Sequence, residues 1–130
     1  KPGFFFIAES IEVAMLIPEG VQVHLYCGIT DMRKSINTLA ILVREVFGME
    51  LEPLHLFLFR SRGGDKLKAL YYEENSFTLW YRRLEKGKFI FPRNVQGHIE
   101  LTRDHLKWLL ASNKYTHYQG DEPVIYRDFH

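Results

Sequence analysis

Three apolar runs separated by very short linkers constrain this chain more than any other feature. HLFLFR (55–60) leads through SRGGD into KLKALYY (66–72), which leads through EENS into FTLWYRR (77–83). Each run has strand length and is rich in aromatic or aliphatic side chains bounded by turn formers. Parallel neighbours need a crossover of a dozen or more residues, so runs this close must pair as antiparallel hairpins. A fourth run, KFIFP (88–92), follows Gly87 and stops at Pro92, as an edge strand would.

The flanks add helices. VQVHLYC (21–27) reads as a strand ended by Gly28, after which Thr30 or Asp31 is placed to cap a helix. Met32, Ile36, Leu39, Ala40, Val43, Val46 and Phe47 recur at helical spacing, which predicts a helix over 31–47 stopped by Gly48. TRDHLKWLLASN (102–113) predicts a second helix, with Leu106, Leu109 and Leu110 on one face and Thr102 as its cap. The expected architecture is α+β: an antiparallel meander of about four or five strands, one amphipathic helix packed on a face, and a C-terminal helix.

A chain of 130 residues with 46% hydrophobic and 25% charged residues has room for one domain and enough apolar side chains for a core. The expected division is a leader or added extension over 1–14, with Met15 as a natural start, a single domain over 15–112, and a tail over 113–130. Cys27 is the lone cysteine, so no internal disulfide forms and a reducing cytoplasm is the expected location. No apolar run approaches the roughly 20 residues needed to cross a bilayer, so no membrane partner is expected.

A formal net charge of +1 conceals an uneven distribution. Nine Lys or Arg and four acids lie between Arg60 and Arg93, which makes that window +5 and the remainder −4. With Gly63 at the centre of the first hairpin, Arg60 falls opposite Lys66 and Leu58 opposite Lys68. With Asn75-Ser76 as the second turn, Lys68 falls opposite Arg83 and Tyr71 opposite Trp80. One end of one face then collects Arg60, Lys66, Lys68 and Arg83, although like charges placed opposite each other destabilise a sheet. An external polyanion would resolve the conflict, because neutralising phosphates releases counterions. Tyr72, Trp80 and Tyr81, with Phe77, would offer rings to unstacked bases or to a partner protein. The competing readings are edge cations that deter aggregation, and rings that are simply core.

GITDMRKSIN (28–37) is the second basic feature. Arg33 and Lys34 fall in the predicted first helical turn, where cations are disfavoured unless an anion visits the free N–H groups or Asp31 pairs locally. Catalytic patterns are missing: there is no P-loop, no G-x-S-x-G, no H-E-x-x-H and no zinc spacing of Cys and His. The expectation is a non-enzyme with no metal and no cofactor.

Taken in order, CGITDMRKSINTLAILV, LFLFRSRGGDKLKALYYEENSFTLWYRRLEKGKF and the closing FP resemble the TnpB accessory proteins of the insertion-sequence-66 family of bacterial mobile elements. Those proteins are unrelated to the RNA-guided nuclease of the same name. The resemblance covers roughly residues 21–92 and implies a non-catalytic helper of transposition, acting beside the transposase on DNA. It marks Asp31, Met32, Arg33 and Lys34 as a candidate functional turn. Arg60, Lys68, Arg82, Arg83 and Lys88 become candidate contacts, joined from the charge pattern by Arg62, Lys66 and Lys86. Two departures stand out: Ser76 where a turn glycine is usual, and an RGGDK loop less basic than its counterparts. The rival expectation is an adaptor that grips the transposase through its aromatic face with little DNA contact.

Overall fold

The computed structural model describes residues 19–92 and 95–111; the leader over 1–14, Arg93 and the tail beyond 113 lie outside them. The chain runs β1 (Gln22–Ile29), α1 (Ile36–Leu42, continuing as a π turn over Val43–Phe47), β2 (His55–Arg60), β3 (Lys66–Glu73), β4 (Ser76–Arg83), β5 (His98–Leu101) and α2 (Arg103–Leu110). One five-stranded sheet has the order β4-β3-β2-β1-β5. The α+β class, two helices and mostly antiparallel pairing agree with the sequence reading.

The meander is interrupted at one place. β1 and β2 pair in parallel, Val23 beside Leu56 and Leu25 beside Leu58, and α1 is the crossover that joins them. β5 then pairs antiparallel with the other side of β1. Near its end β1 bulges: Tyr26 faces Phe59 but Ile29 faces Arg60, which leaves Cys27 and Gly28 as extra residues. A Cβ on Gly28 would lie 2.5 Å from the far end of the Tyr26 ring, so a larger residue in the bulge would have to displace that ring.

The sheet is buried on both faces. Leu39, Val43 and Phe47 of α1 pack on Phe57, Phe59 and Leu70. Leu106, Leu109 and Leu110 of α2, with Leu84 and Phe89, pack on Val23, Leu25, Leu56, Leu58, Leu67 and Ala69. The predicted apolar stripes are therefore the observed contact faces. α2 begins as expected, with Thr102 Oγ1 accepting from the His105 N–H at 3.1 Å. Gly48 ends α1 in the left-handed conformation, φ 66°.

Other expectations are corrected. α1 starts at Ile36, not 31, with Ser35 as its cap, so Arg33 and Lys34 precede the helix and do not face its dipole. KFIFP is not a strand: Phe89 is buried as a plug in the α2-side core, and Phe91 lies under the Arg60 guanidinium at 4.9 Å. The strand that completes the sheet is HIEL (98–101), too short to stand out from its loops.

Both hairpin registers also differ. Arg60 faces Leu67, and Lys68 faces Phe59. That is a slip of one residue, and it sends Arg60 to the α2 face while Lys66 and Lys68 stay on the α1 face. The second hairpin turns at Glu74-Asn75, both with positive φ (51° and 60°), so Glu73 pairs with Ser76 and Lys66 with Arg83. Asparagine tolerates that conformation, and the Ser76 hydroxyl donates to the Glu73 carbonyl at 2.6 Å, which fixes the turn one residue early.

Lys68 is buried, 9% exposed, and its ammonium donates to the carbonyls of Met32 (2.7 Å) and Lys34 (2.6 Å). A buried ammonium without acceptors would cost several kcal/mol; here it ties the start of β3 to the turn before α1. Lys68→Met keeps the apolar stem and removes the charge, leaving two carbonyls without their donor. It is expected to lower stability by roughly 2–3 kcal/mol in urea unfolding. His24 is another buried polar group. Its Nε2 meets His55 Nδ1 at 3.0 Å, and its ring stacks on Phe57. Burial, and then the charge of His55, push the His24 pKa below its usual 6.5 against an opposing pull from Glu100, and His98 adds a smaller push downward. The unfolded chain therefore binds the proton more readily, so this stabilisation is complete above about pH 6.5 and is lost as pH falls through the lowered value. His24→Phe should flatten the decline of the urea midpoint between about pH 6.5 and pH 5.

Candidate nucleic-acid interface

Parallel pairing makes β1 and β2 finish at the same end of the sheet, and the hairpins bring the start of β3 and the finish of β4 to that end as well. Three loops meet there: 30–35, 61–65 and 84–89. Backbone bonds hold them side by side. Thr30 N–H donates to the Arg60 carbonyl at 2.9 Å, Leu84 N–H to Asp65 at 2.8 Å, and Phe89 N–H to Gly64 at 2.8 Å. The Ser61 hydroxyl, buried, accepts from the Lys66 N–H at 3.0 Å and closes the 61–65 loop.

All ten basic candidates lie at this end, although not on one face. Arg33, Lys34, Arg60, Arg62, Lys66, Lys68, Arg82, Arg83, Lys86 and Lys88 stand there with three carboxylates, Asp31, Asp65 and Glu85, a formal excess of seven. The opposite end carries Glu19, Glu45, Glu50, Glu52, Glu73, Glu74 and Asp104 with Arg44 and Arg103, a deficit of five. The described residues are thus polarised in charge along the strands.

The ten cations divide by what they touch. Lys68 is committed to two carbonyls. Arg60, on the α2 face, lies over Phe91 with a buried Nε, and Arg82 is half-buried on that same face, where burial pushes its pKa down. Arg33 is locked to Asp31 through Nη2 at 2.6 Å and Nε at 3.0 Å, and the hydrogen bonds from Arg33 hold the Asp31 carboxyl far below the usual carboxylate range. Lys66 pairs with Asp65 at 3.3 Å. Lys34, Arg62, Arg83, Lys86 and Lys88 make no ion pair among the described residues; all but the half-buried Lys34 are exposed, and Glu85 is the one carboxylate left beside them.

The rings are not brought together. Trp80 packs half-buried on the α2-side core, and Tyr72 sits at the acidic end against Phe77, 5.1 Å between centroids. Only Tyr81 stands near the basic end, 48% exposed, with its ring 5.3 Å from the Lys68 ammonium. Two residues passed over in the sequence prove central to this end: Gly64 and Phe89, which join the two basic loops. The signal for Phe89 was the G-K-F step over 87–89 after RLE, where an apolar ring follows a charged turn; Gly64 is the second glycine of SRGGD.

A mixed sheet between helices, with charge separated along the strand direction, defines a small, electrostatically polarised α+β protein. The chain belongs to the IS66 Orf2-like family, whose model (IS66 Orf2 like protein) matches residues 21–120. It is 35% identical over 108 residues to the uncharacterized protein y4hO of Sinorhizobium fredii (strain NBRC 101917 / NGR234), spanning 80% of this chain and 92% of that one. It is 27% identical over 97 residues to y4jC of the same organism, also uncharacterized, spanning 75% and 83%. No solved structure matches. Family membership carries a role in insertion-sequence transposition. Among the described residues no helix is long and apolar enough to cross a membrane, and no group of three or more His, Cys, Asp or Glu could hold a metal.

Gly64 has φ 78°, and a Cβ there would meet the Lys88 stem at 3.5 Å. The left-handed conformation is the main obstacle, so Gly64→Ala should destabilise by roughly 1–2 kcal/mol. Hydrogen exchange should also show faster exchange at the Leu84 and Phe89 amides, which hold the two loops together.

Proposed function

We propose that this protein is a non-catalytic accessory factor of transposition that binds DNA phosphates through the basic end of its sheet. The observation that carries the reading is the exposed group of Arg62, Arg83, Lys86 and Lys88, gathered by two hydrogen-bonded loops with one nearby carboxylate. Cations so placed repel one another in the free protein and are relieved by a polyanion. The acidic far end would orient the domain on a duplex, basic end inward, since a polarised charge distribution steers encounter. The partners proposed are the DNA of the element and the transposase encoded beside it. Chemistry belongs to the transposase in this reading.

The contact set is narrower than the sequence implied. Lys68, Arg60 and Arg33 are occupied within the fold and support the end without being its contacts. The adaptor reading, in which the protein grips the transposase and hardly touches DNA, draws support from Phe77 and Tyr81, each 48% exposed on β4.

A salt titration separates the two. Binding to element-end duplex should fall linearly in log K against log salt, with a slope near −3.6 for about four phosphate contacts. Arg62→Ala, Lys86→Ala and Lys88→Ala together should weaken the slope by roughly 2.7 while leaving the unfolding midpoint in place. An unchanged slope and affinity in that triple variant, with transposase capture lost on Tyr81→Ala, would decide for the adaptor.

A further inference from the structure

β4 is the long edge of the sheet: eight residues, free of proline, with no strand beyond it among the described residues. Glu73 and Ser76 flank a two-residue turn and therefore form a hydrogen-bonded pair, so the even-numbered residues of β4 direct N–H and C=O toward β3. Phe77, Leu79, Tyr81 and Arg83 direct theirs outward. Such a row is a template for another strand.

The charges around the edge select the strand. β4 starts at an acidic turn, Glu73-Glu74, and ends in a basic segment running from Arg83 to Lys86 and Lys88. A second copy of this chain, laid antiparallel along β4, places each acidic turn beside the basic segment of its partner. Parallel self-pairing would align like with like, which is strongly unfavourable at an interface. We infer that β4 is a self-association edge, through which two copies join their five-stranded sheets into one continuous sheet about a two-fold axis. Antiparallel pairing centred on Leu79 or Trp80 lays the exposed Phe77 of one copy beside Tyr81 or Arg83 of the other, where cross-strand ring contacts add to the backbone bonds. Isologous pairing of this kind closes on itself and does not propagate into fibres. The second edge, β5, has four residues and offers a much shorter template.

The arrangement sets the two basic ends on opposite margins of the joined sheet, with β5 outermost in each copy. It draws on Arg83 and Lys86, which the DNA reading also uses, but its test contains no nucleic acid, so the two can fail separately. Sedimentation velocity of the full chain over a range of concentrations at low salt should show a monomer–dimer equilibrium. Glu74→Lys and Lys86→Glu, each alone, should weaken the dimer by about tenfold or more through like-charge contact. The double variant Glu74→Lys, Lys86→Glu should restore wild-type association, which a fold defect would not. Amides of Phe77, Leu79 and Tyr81 should gain exchange protection as concentration rises. A chain that stays monomeric, a dimer indifferent to both single charge reversals, or β4 amides protected independently of concentration would each overturn the proposal. The last result would mean that residues of the same chain cover the edge.

Discussion

The parallel pairing of β1 with β2 is the constraint on which the rest of the molecule depends. Parallel neighbours cannot be joined by a turn, so the chain must cross the sheet, and α1 is that crossing. Covering one face with α1 buries Phe57, Phe59 and Leu70. The chain then returns through two tight hairpins, and its remaining apolar segments cover the other face. Most consequentially, the crossover points β1 and β2 the same way. Their outgoing loops are then neighbours, and the third loop, leaving β4, arrives at the same place. The basic end follows from strand direction, not from any single run of cations.

Lys68 shows how the positive charge divides between architecture and surface. Its ammonium is buried near the start of β3 with two carbonyls from the 32–34 turn, so one cation holds the first basic loop against the sheet. Asp31 and Asp65 each absorb one neighbour, Arg33 and Lys66. Exposed ion pairs of this sort contribute little to stability, but they remove charge from the field of the loops. The remaining exposed cations are arranged by backbone bonds at Gly64, Asp65, Leu84 and Phe89 rather than by packing of their own side chains. Their positions are therefore as rigid as the loops that carry them.

Much of this was readable from residue order. The hairpin chemistry of SRGGD and EENS, the apolar stripe from Met32 to Phe47, and the cap-and-leucine pattern of the second helix all correspond to observed elements. The basic residues share one end of the sheet but not the one face that the expected register gave them. A hairpin centre misplaced by one residue reverses which face Arg60 occupies, and nothing in SRGGD distinguishes a loop centred on Gly63 from one centred between Gly63 and Gly64. A two-residue error in the second hairpin kept Arg83 on its face because side chains alternate with period two. The parallel pair escaped notice because local spacing says nothing about which distant strand lies alongside, and β5 was missed because four residues carry little periodicity. An alternating apolar run such as KFIFP looks the same in sequence whether it pairs as a strand or, as Phe89 does here, plugs a core.

The amino-acid order by itself determined the α+β class, the two hairpins, the apolar faces of both helices and a pronounced excess of cations between residues 60 and 88. These are properties of local spacing and turn chemistry, which act between residues close in the chain. Only the tertiary structure decided that the cations share an end rather than a face, which of them are spent inside the fold, and that acids gather at the far end. Those outcomes depend on strand direction and register, set by contacts between residues tens of positions apart, whose energies no short stretch of sequence contains.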